Sequence, residues 1–525
     1  MRSFIVTYIS FIIFSIGLAS CAVGPKYQKP ITQNPDLFRF QDAGQDTLVN
    51  LQWWTIFNDP VLESLIDEAL ENNKDVLIAA SRIEQARANV GYNRADFGPK
   101  IGLEGVAAKS NFIQGVKQDE AVNLYSGNTN LYWELDIWGK IRRSTEAARA
   151  ELLSTFYAKR GVELSLISEV ASNYFKLLDY RARLEISEKT FTSRDSALTI
   201  IEMRYEKGII PLIDVNQAQV QRSIALASIP QFKRLIAQSE HNISVLLGKN
   251  PDSISTGSDL LSQQIPDSIP VGIPSQLLAR RPDIAQYEQL YKAQNARIGV
   301  AQAMRFPSIS LTGLLGVGST DLSNLVSNGL GWTAGASLVG PLFEWGKNIR
   351  RVDIERERAN QALLAYEFSV INALREVQDA LIEIQTYQEE LSARAEGVRA
   401  AQSARELSEM RYDKGVTSYL EVLETQRQEF EAKLGYSQNY NLVLSSYINL
   451  YKVLGGGWIT EQERERYAAQ QAEKEGVEVG IIEDQSMIYD GQVTDLDLTK
   501  EEIQQRKNEK KLQRKLEKEQ RRSNN

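Results

Sequence analysis

Few side chains in this sequence could perform chemistry. Cys21 is the only cysteine and His241 the only histidine among 525 residues. A single cysteine cannot form an intramolecular disulfide, and a single histidine leaves multi-histidine metal sites out of reach. His241 lies in a helix-like stretch beside Asn242 and Ser244, which favours a polar surface residue over a catalytic base. Because Gly-x-Ser-x-Gly, metal-ligand and phosphate-loop motifs are also missing, the sequence disfavours an enzyme.

Cys21 stands at the end of a targeting segment. Arg2 gives a positive start, and Phe4–Ala19 is an apolar run too short for a spanning helix. The run ends in Leu18-Ala19-Ser20-Cys21, which resembles the lipobox read by bacterial lipoprotein signal peptidase. We therefore expect residues 1–20 to be a signal peptide and Cys21 to carry a covalent lipid, the only cofactor predicted. The alternative is an ordinary cleavage site with a chance cysteine.

Composition excludes one broad class of partner. The chain is 42% apolar and 24% charged with a net charge of −8, and no basic stripe stands out before its tail. This balance argues against nucleic-acid binding. After Cys21 there is also no run of 18 apolar residues, so we expect any membrane crossing to be made by β-strands.

An internal repeat organises the chain. Four landmarks return at an offset of 207 or 208 residues: Arg204–Ile209 with Arg411–Val416, Trp138–Lys140 with Trp345–Lys347, Asn73–Val76 with Arg281–Ile284, and Val90-Gly91 with Ile298-Gly299. Self-similarity at a fixed period indicates two copies of one structural unit. The predicted division is a lipidated segment 21–50, a first repeat 51–250, a linker 251–274, a second repeat 275–458 and a charged extension 459–525.

Four segments alternate apolar and polar residues with the period of a β-strand. They are predicted at about 100–110, 128–138, 307–318 and 330–342. Each is about ten residues long, the length that a tilted strand needs to cross a bilayer. Trp138 and Trp345 are predicted to end the second strand of each pair, where interfacial aromatic residues collect in membrane proteins.

The helical stretches are unusually long. Proline is absent from Ile101 to Ile210 and from Leu342 to the end. Apolar residues follow a 3-4 spacing typical of a coiled-coil seam in both copies: Leu164, Ile167, Ala171, Tyr174 and Leu178, then Val370, Ala373, Val377, Ala380, Ile384, Tyr387 and Leu391. A helix from Lys347 to Lys414 would measure on the order of 100 Å. A stack of ordinary helices in a bundle is the alternative.

Four strands per chain make self-association necessary. An open sheet edge in hydrocarbon leaves backbone groups unpaired, and the smallest closed membrane barrels have about eight strands. Two copies would supply 8 strands and three would supply 12, and only the wider barrel leaves water inside. The predicted fold is thus a mixed α/β membrane protein. We expect a trimeric 12-stranded antiparallel outer-membrane β-barrel, continued by a long periplasmic α-helical coiled-coil barrel.

Several motifs together resemble the TolC/OprM-like outer-membrane efflux proteins, in the lipoprotein branch that serves resistance-nodulation-division (RND) pumps. The similarity covers residues 21 to about 458. The motifs are Cys21–Tyr27, Trp53-Trp54 with Phe57, Asp59-Pro60 and Leu62, Arg280–Ile284, the paired Arg-Tyr-x-Lys-Gly loops, and Leu454–Trp458. The resemblance implies a homotrimeric duct for small molecules, anchored in the outer membrane and extending into the periplasm. It also implies a periplasmic adaptor protein and an inner-membrane RND pump as partners.

The resemblance also assigns functional positions. The two loops near 204–214 and 411–421 match periplasmic tips that meet the adaptor, with candidate residues Arg204, Tyr205, Gly208, Arg411, Tyr412 and Gly415. Candidate residues of a gate at the tunnel mouth are Leu420, Glu421, Glu424, Arg427 and Asp214. Thr417 replaces the basic residue that some relatives pair with the acid at position 214, so that contact is in doubt. A solvated i,i+3 pair is the alternative for Glu424 and Arg427.

Other functions stay open on sequence alone. A structural coiled-coil envelope lipoprotein would not need four alternating segments or glycine tips. A type I protein secretion outlet shares the fold, although the lipobox and Arg280–Asp283 favour an RND partner. The exported substrate, and the role of the mixed-charge stretch 500–522, cannot be determined from the sequence.

Overall fold

A computed structural model describes residues 22–30, 53–113, 116–265, 280–327 and 329–456. The predictions for the signal segment 1–20, for lipidation of Cys21 and for the extension 459–525 fall outside these ranges. So do most of the segment 21–50 and part of the linker 251–274.

Helices and strands follow one another in the same order twice. The first run is α1 (Pro60–Asn72), α2 (Lys74–Ala95), β1 (Lys100–Ile113), β2 (Val116–Leu135), α3 (Lys140–Glu206) and α4 (Leu212–Leu246). The second is α5 (Pro282–Ala303), β3 (Ser308–Ser319), β4 (Gly331–Val339), α6 (Lys347–Asp413) and α7 (Tyr419–Val453). Short 3-10 turns lie at Trp53–Phe57, Leu260–Ser262 and Leu322–Asn324.

The long helices have matched lengths. Helices α3 and α6 each contain 67 residues, and α4 and α7 each contain 35. At 1.5 Å per residue, α3 and α6 are about 100 Å long, which confirms the prediction of long unbroken helices. No helix in the described part of the chain is both long and apolar enough to cross a membrane.

The strands form one antiparallel sheet in the order β1-β2-β3-β4. Strand β2 begins at Val116, well before the predicted position 128, because it keeps pairing with β1 beyond the end of β3. The polar run Lys117–Glu120 hid this extension from a search for apolar alternation. Both predicted strand ends were too late: β2 ends at Leu135, and β4 ends at Val339 before Gly340 and Pro341.

The two faces of the sheet differ in polarity. Alternate residues of a strand point to opposite faces. One face carries Glu104 and Asn130, which are hydrogen bonded at 2.9 Å, and Ser310 and Ser337, whose hydroxyls lie 2.8 Å apart. The opposite face carries leucines and a tryptophan: Leu103, Leu131, Leu311, Leu315, Trp332 and Leu338.

The main core lies where the long helices pass the short ones. The predicted seam is confirmed, since Leu164, Ile167, Ala171, Tyr174 and Leu178 of α3 are buried, as are Val370, Ala373, Val377 and Ala380 of α6. The later members Ile384, Tyr387 and Leu391 are partly buried against the same core. Helix α3 packs on both α4 and α7, and α7 packs on α6. The long helices therefore stand in the order α4-α3-α7-α6, with α4 and α6 on the outside.

Candidate functional site: the helix tips and the strand-helix junctions

Each long hairpin turns at a glycine in the left-handed conformation. Gly208 has φ +68° and Gly415 has φ +72°. The backbone N–H of Gly208 donates to Tyr205 (2.8 Å), and that of Ile209 donates to Arg204 (3.0 Å). Gly415 and Val416 donate in the same way to Tyr412 and Arg411, both at 2.9 Å. These bonds satisfy the last carbonyls of α3 and α6, which explains why glycine follows each helix.

The two tips pack against each other. A cluster of apolar side chains joins them: Leu198, Ile201, Val215, Ala218, Tyr419, Val422 and Leu423. The Arg204 guanidinium lies 5.3 Å from the centre of the Tyr412 ring, and its Nη2 lies 3.6 Å from Asp413 Oδ1. The Tyr412 ring lies 5.2 Å from that of Tyr419. The structure thus brings predicted residues of both loops into one contact.

The candidate gate residues divide into two groups. Glu421 connects the two helices of its hairpin, because Arg411 Nη1 lies 2.9 Å from its Oε1. Thr417 also donates to Glu421. Leu420 is exposed. Asp214 is partly buried and lies near Tyr419, whose pKa is raised to about 12, mainly by burial. The contact that Thr417 makes is within its own hairpin, in line with the doubt about a latch to Asp214.

Glu424 and Arg427 form a ladder along one helix. Arg427 Nη2 lies 2.6 Å from Glu424 Oε1, and its Nη1 lies 2.8 Å from Glu431 Oε1. The hydrogen bond from Arg427 lowers the pKa of the Glu424 carboxyl. All three side chains are exposed and belong to α7, so in a single chain this is the i,i+3 arrangement given above as the alternative. No group of three or more metal-ligating side chains is found among the residues described.

Sequence reasoning missed two buried polar residues of α3 that face α7. Arg194 is only 3% exposed. Its Nη1 donates to the Gln221 carbonyl of α4 at 2.7 Å, and its Nη2 donates to the Gln426 carbonyl of α7 at 3.3 Å. Burial lowers its pKa. Its spacing of four and seven residues from Leu198 and Ile201 places it in the apolar seam, and an arginine there was a signal that could have been found.

Asp179 is the second of these residues. It is buried, it pairs with Arg183 at 2.8 Å, and it accepts a hydrogen bond of 2.7 Å from the Ser437 hydroxyl of α7. Burial raises the pKa of its carboxyl, and Arg183 partly opposes that shift. Asp179 and Arg194 therefore tie the two hairpins together above the tips.

The motif around Arg281 holds the start of α5 against the end of α7. Arg281 is buried, its Nη1 donates to the Val453 carbonyl at 2.9 Å, and its Nη2 lies 2.7 Å from both Asp283 and Glu376. Hydrogen bonds from these carboxylates raise its pKa against the opposing effect of burial. A buried guanidinium needs such partners, so this motif is explained by structure and not by transport chemistry.

The two tryptophans predicted at the membrane interface differ in their surroundings. Trp138 is half-buried: its indole N–H donates to the Pro307 carbonyl at 2.7 Å and its ring stacks on Phe306 at 4.7 Å. Trp345 is 90% exposed and lies 5.2 Å from the Phe343 ring. Trp332 is also exposed, at the opposite end of β4. Both tryptophans come after their strands and do not end them.

Residues 22–30 run as a strap past the foot of the sheet. The Val23 N–H donates to the Trp138 carbonyl at 3.2 Å, and Arg143 Nε donates back to the Val23 carbonyl at 3.4 Å. A Cβ atom built on Gly139 would lie 2.9 Å from the Ala22 Cβ. Further along, the Tyr27 hydroxyl donates to Glu288 at 2.9 Å. The strap therefore begins next to the junction of β2 and α3.

Comparison with known proteins agrees with this architecture. The sequence matches the family described as outer membrane efflux protein over residues 65–249 and again over 273–456. It is 32% identical to the cation efflux system protein CusC of Escherichia coli O6:H1 over 457 residues, covering 85% of this chain and 97% of that protein. It is 33% identical to the probable efflux pump outer membrane protein TtgC of Pseudomonas putida over 476 residues, covering 87% and 96%.

A solved structure shows the same fold. The open state of the Neisseria gonorrhoeae MtrE outer membrane channel superimposes with a TM-score of 0.74 at 27% identity, covering 83% of this chain and 98% of that one. The chain therefore belongs to the outer membrane efflux protein family. It is the outer-membrane channel component of an RND-type efflux system, of the TolC/OprM-like kind, and it extends into the periplasm.

Proposed function

We propose that three copies of this chain form one continuous duct that carries small molecules from the periplasm, or from an inner-membrane pump, to the outside. The observation that carries the proposal is the four-stranded sheet, in which β1 and β4 are edge strands. Unpaired backbone groups cost several kcal/mol each in hydrocarbon. Three copies supply a closed barrel of 12 strands that is wide enough for water.

The polarity of the sheet supports this closure. In a membrane barrel the apolar face meets lipid and the polar face lines the lumen. The face with Leu103, Leu131 and Leu311 would lie outward, and the face with Glu104 and Asn130 would line the duct. The exposed Trp332 and Trp345 would then stand at the two membrane interfaces.

The outer helices provide a second support for self-association. Exposed apolar side chains lie on α4 at Ile213, Val220 and Ile224, with spacings of seven and four that place them on one face. Leu407 and Met410 are exposed on α6, the opposite outer helix. Burying such residues is favourable by about 25 cal/mol per Å². In a closed ring, α4 of one copy would meet α6 of the next and continue the barrel as a helical tunnel.

The remaining parts of the proposal concern duplication, anchoring and partners. The matched helix lengths and the twofold family match support a tandem duplication of one unit. A lipid on Cys21 would lie one residue before Ala22, at the foot of the sheet. The paired tips would meet a periplasmic adaptor, and the adaptor would join the duct to the inner-membrane pump. CusC is named for cations, whereas TtgC is named only as an efflux pump component, so the cargo of this chain stays open.

Insertion into planar lipid bilayers tests the proposal. The purified protein should give discrete, stable conductance steps. Val220→Asp combined with Ile224→Asp should abolish most of these steps, because the charges would face a neighbouring copy across an apolar contact. Leu261→Asp is the matched control, since Leu261 is similarly exposed but lies outside both outer helices. A trimer that inserts into the bilayer but carries no current would overturn the duct.

A further inference from the structure

The two strand-helix junctions have the same sequence, but only one is complete in a single chain. At the first junction, the Trp138 indole is satisfied by the Pro307 carbonyl, just before β3. At the second, Trp345 is 90% exposed, and its φ of +49° is a conformation that bulky L-residues rarely adopt. An exposed, strained tryptophan at the end of an edge strand indicates a missing contact.

The repeat offset identifies that contact. Trp345 follows Trp138 by 207 residues, and Pro307 follows Pro99 by 208. The equivalent of the Trp138–Pro307 bond is therefore a bond from Trp345 to the Pro99 carbonyl. Within one chain Pro99 precedes β1, at the other edge of the sheet from β4. Three strand spacings separate those edges, about 14 Å, so the Pro99 that meets Trp345 must belong to a second copy.

The sheet registers extend the argument to the strands. Lys100 pairs with Tyr132 in the first hairpin, and Ser308 pairs with Val339 in the second, so the two hairpins have equivalent registers. Between the hairpins, Tyr132 pairs with Thr312. Val339 is the equivalent of Tyr132, and Glu104 is the equivalent of Thr312. The equivalent pair between copies is Val339 with Glu104.

We propose that β4 of one copy pairs antiparallel with β1 of a second copy, with Val339 opposite Glu104, and that the Trp345 indole donates to the Pro99 carbonyl of that second copy. The inference rests on the proposed trimeric duct and adds the register of its seam. This register places Leu338 opposite Gly105 and keeps the apolar face continuous. A slip of one residue would turn β1 over and bring Glu104 to the lipid side.

Disulfide trapping tests the register. The double variant Val339→Cys, Glu104→Cys is purified in detergent and oxidised. Its two new thiols cannot meet within one chain, because a disulfide needs Cα atoms within about 7 Å. Most of the protein should migrate as a covalent trimer. The control pairs Val339→Cys with Leu103→Cys, which points to the opposite face and should give several-fold less cross-linking. Cys21 is the only native cysteine, so the unmodified protein measures the background.

Each outcome decides one question. Covalent trimers in the test pair, but few in the control, support the proposed seam. A native trimer in which the test pair fails to cross-link, or in which the control cross-links equally, overturns the register and leaves the duct standing. A monomer in detergent overturns both.

Discussion

Helices α4 and α7 occupy equivalent places in the two repeats but present different surfaces. At the offset of 207 residues, Val220 corresponds to Arg427 and Ile224 corresponds to Glu431. All four side chains are exposed in a single chain, yet those of α4 are apolar and those of α7 form the charge ladder with Glu424. Helix α4 is an outer helix and α7 an inner one. The difference indicates that one unit diverged according to what each copy of it contacts.

The contrast reverses at the first turn of the same helices. Tyr419 of α7 is 6% exposed and packs in the apolar cluster between the tips, whereas its equivalent Leu212 of α4 is 51% exposed. The second repeat therefore supplies the apolar contact that joins the tips, and the first supplies the apolar surface proposed to meet a neighbouring copy. The comparison teaches that the tips are asymmetric although their loops have the same sequence.

The largest effect is expected from Tyr419→Ala. Removing a buried aromatic side chain costs about 3 kcal/mol in lost burial and cavity formation. Because this side chain lies between the hairpins, the loss should fall on the contact of the tips and raise single-channel conductance. Leu212→Ala is the matched control and should leave conductance nearly unchanged. Equal effects of the two variants would contradict the asymmetry of the tips.

A smaller effect is expected from Glu424→Ala combined with Arg427→Ala. Exposed ion pairs within one helix contribute little to stability, so the thermal midpoint should hardly move. If the ladder narrows the tunnel mouth, the double variant should still raise conductance, because it removes charged side chains from the path. The control is Arg375→Ala with Asp379→Ala, an exposed i,i+4 pair on α6. Unchanged conductance in the test variant would remove Glu424 and Arg427 from the gate.

The sequence predicted features that depend on local pattern. The seam residues and the long helices came from apolar spacing and the absence of proline, and the glycine turns came from the repeated loops. These features could be predicted because a helix records its buried face in its own sequence. The tip contact of Arg204 with Tyr412 was not predicted in detail, since it depends on how two hairpins pack.

Features that depend on distant neighbours were missed. The early part of β2 pairs through backbone hydrogen bonds and carries polar side chains, so alternation did not reveal it. Arg194 was overlooked because a charged residue is ordinarily exposed, and its carbonyl partners belong to two other helices. Trp138 and Trp345 have the same local sequence, and only the strand order explains why one is covered and the other is not.

The central claim is that a chain with four strands satisfies its sheet edges only by joining two further copies. Light scattering coupled to size exclusion, applied to the protein in detergent after subtraction of the detergent mass, tests it most directly. Three chains per particle, together with a β signal in circular dichroism, are the predicted result. A single chain per particle with a purely helical spectrum would contradict the claim.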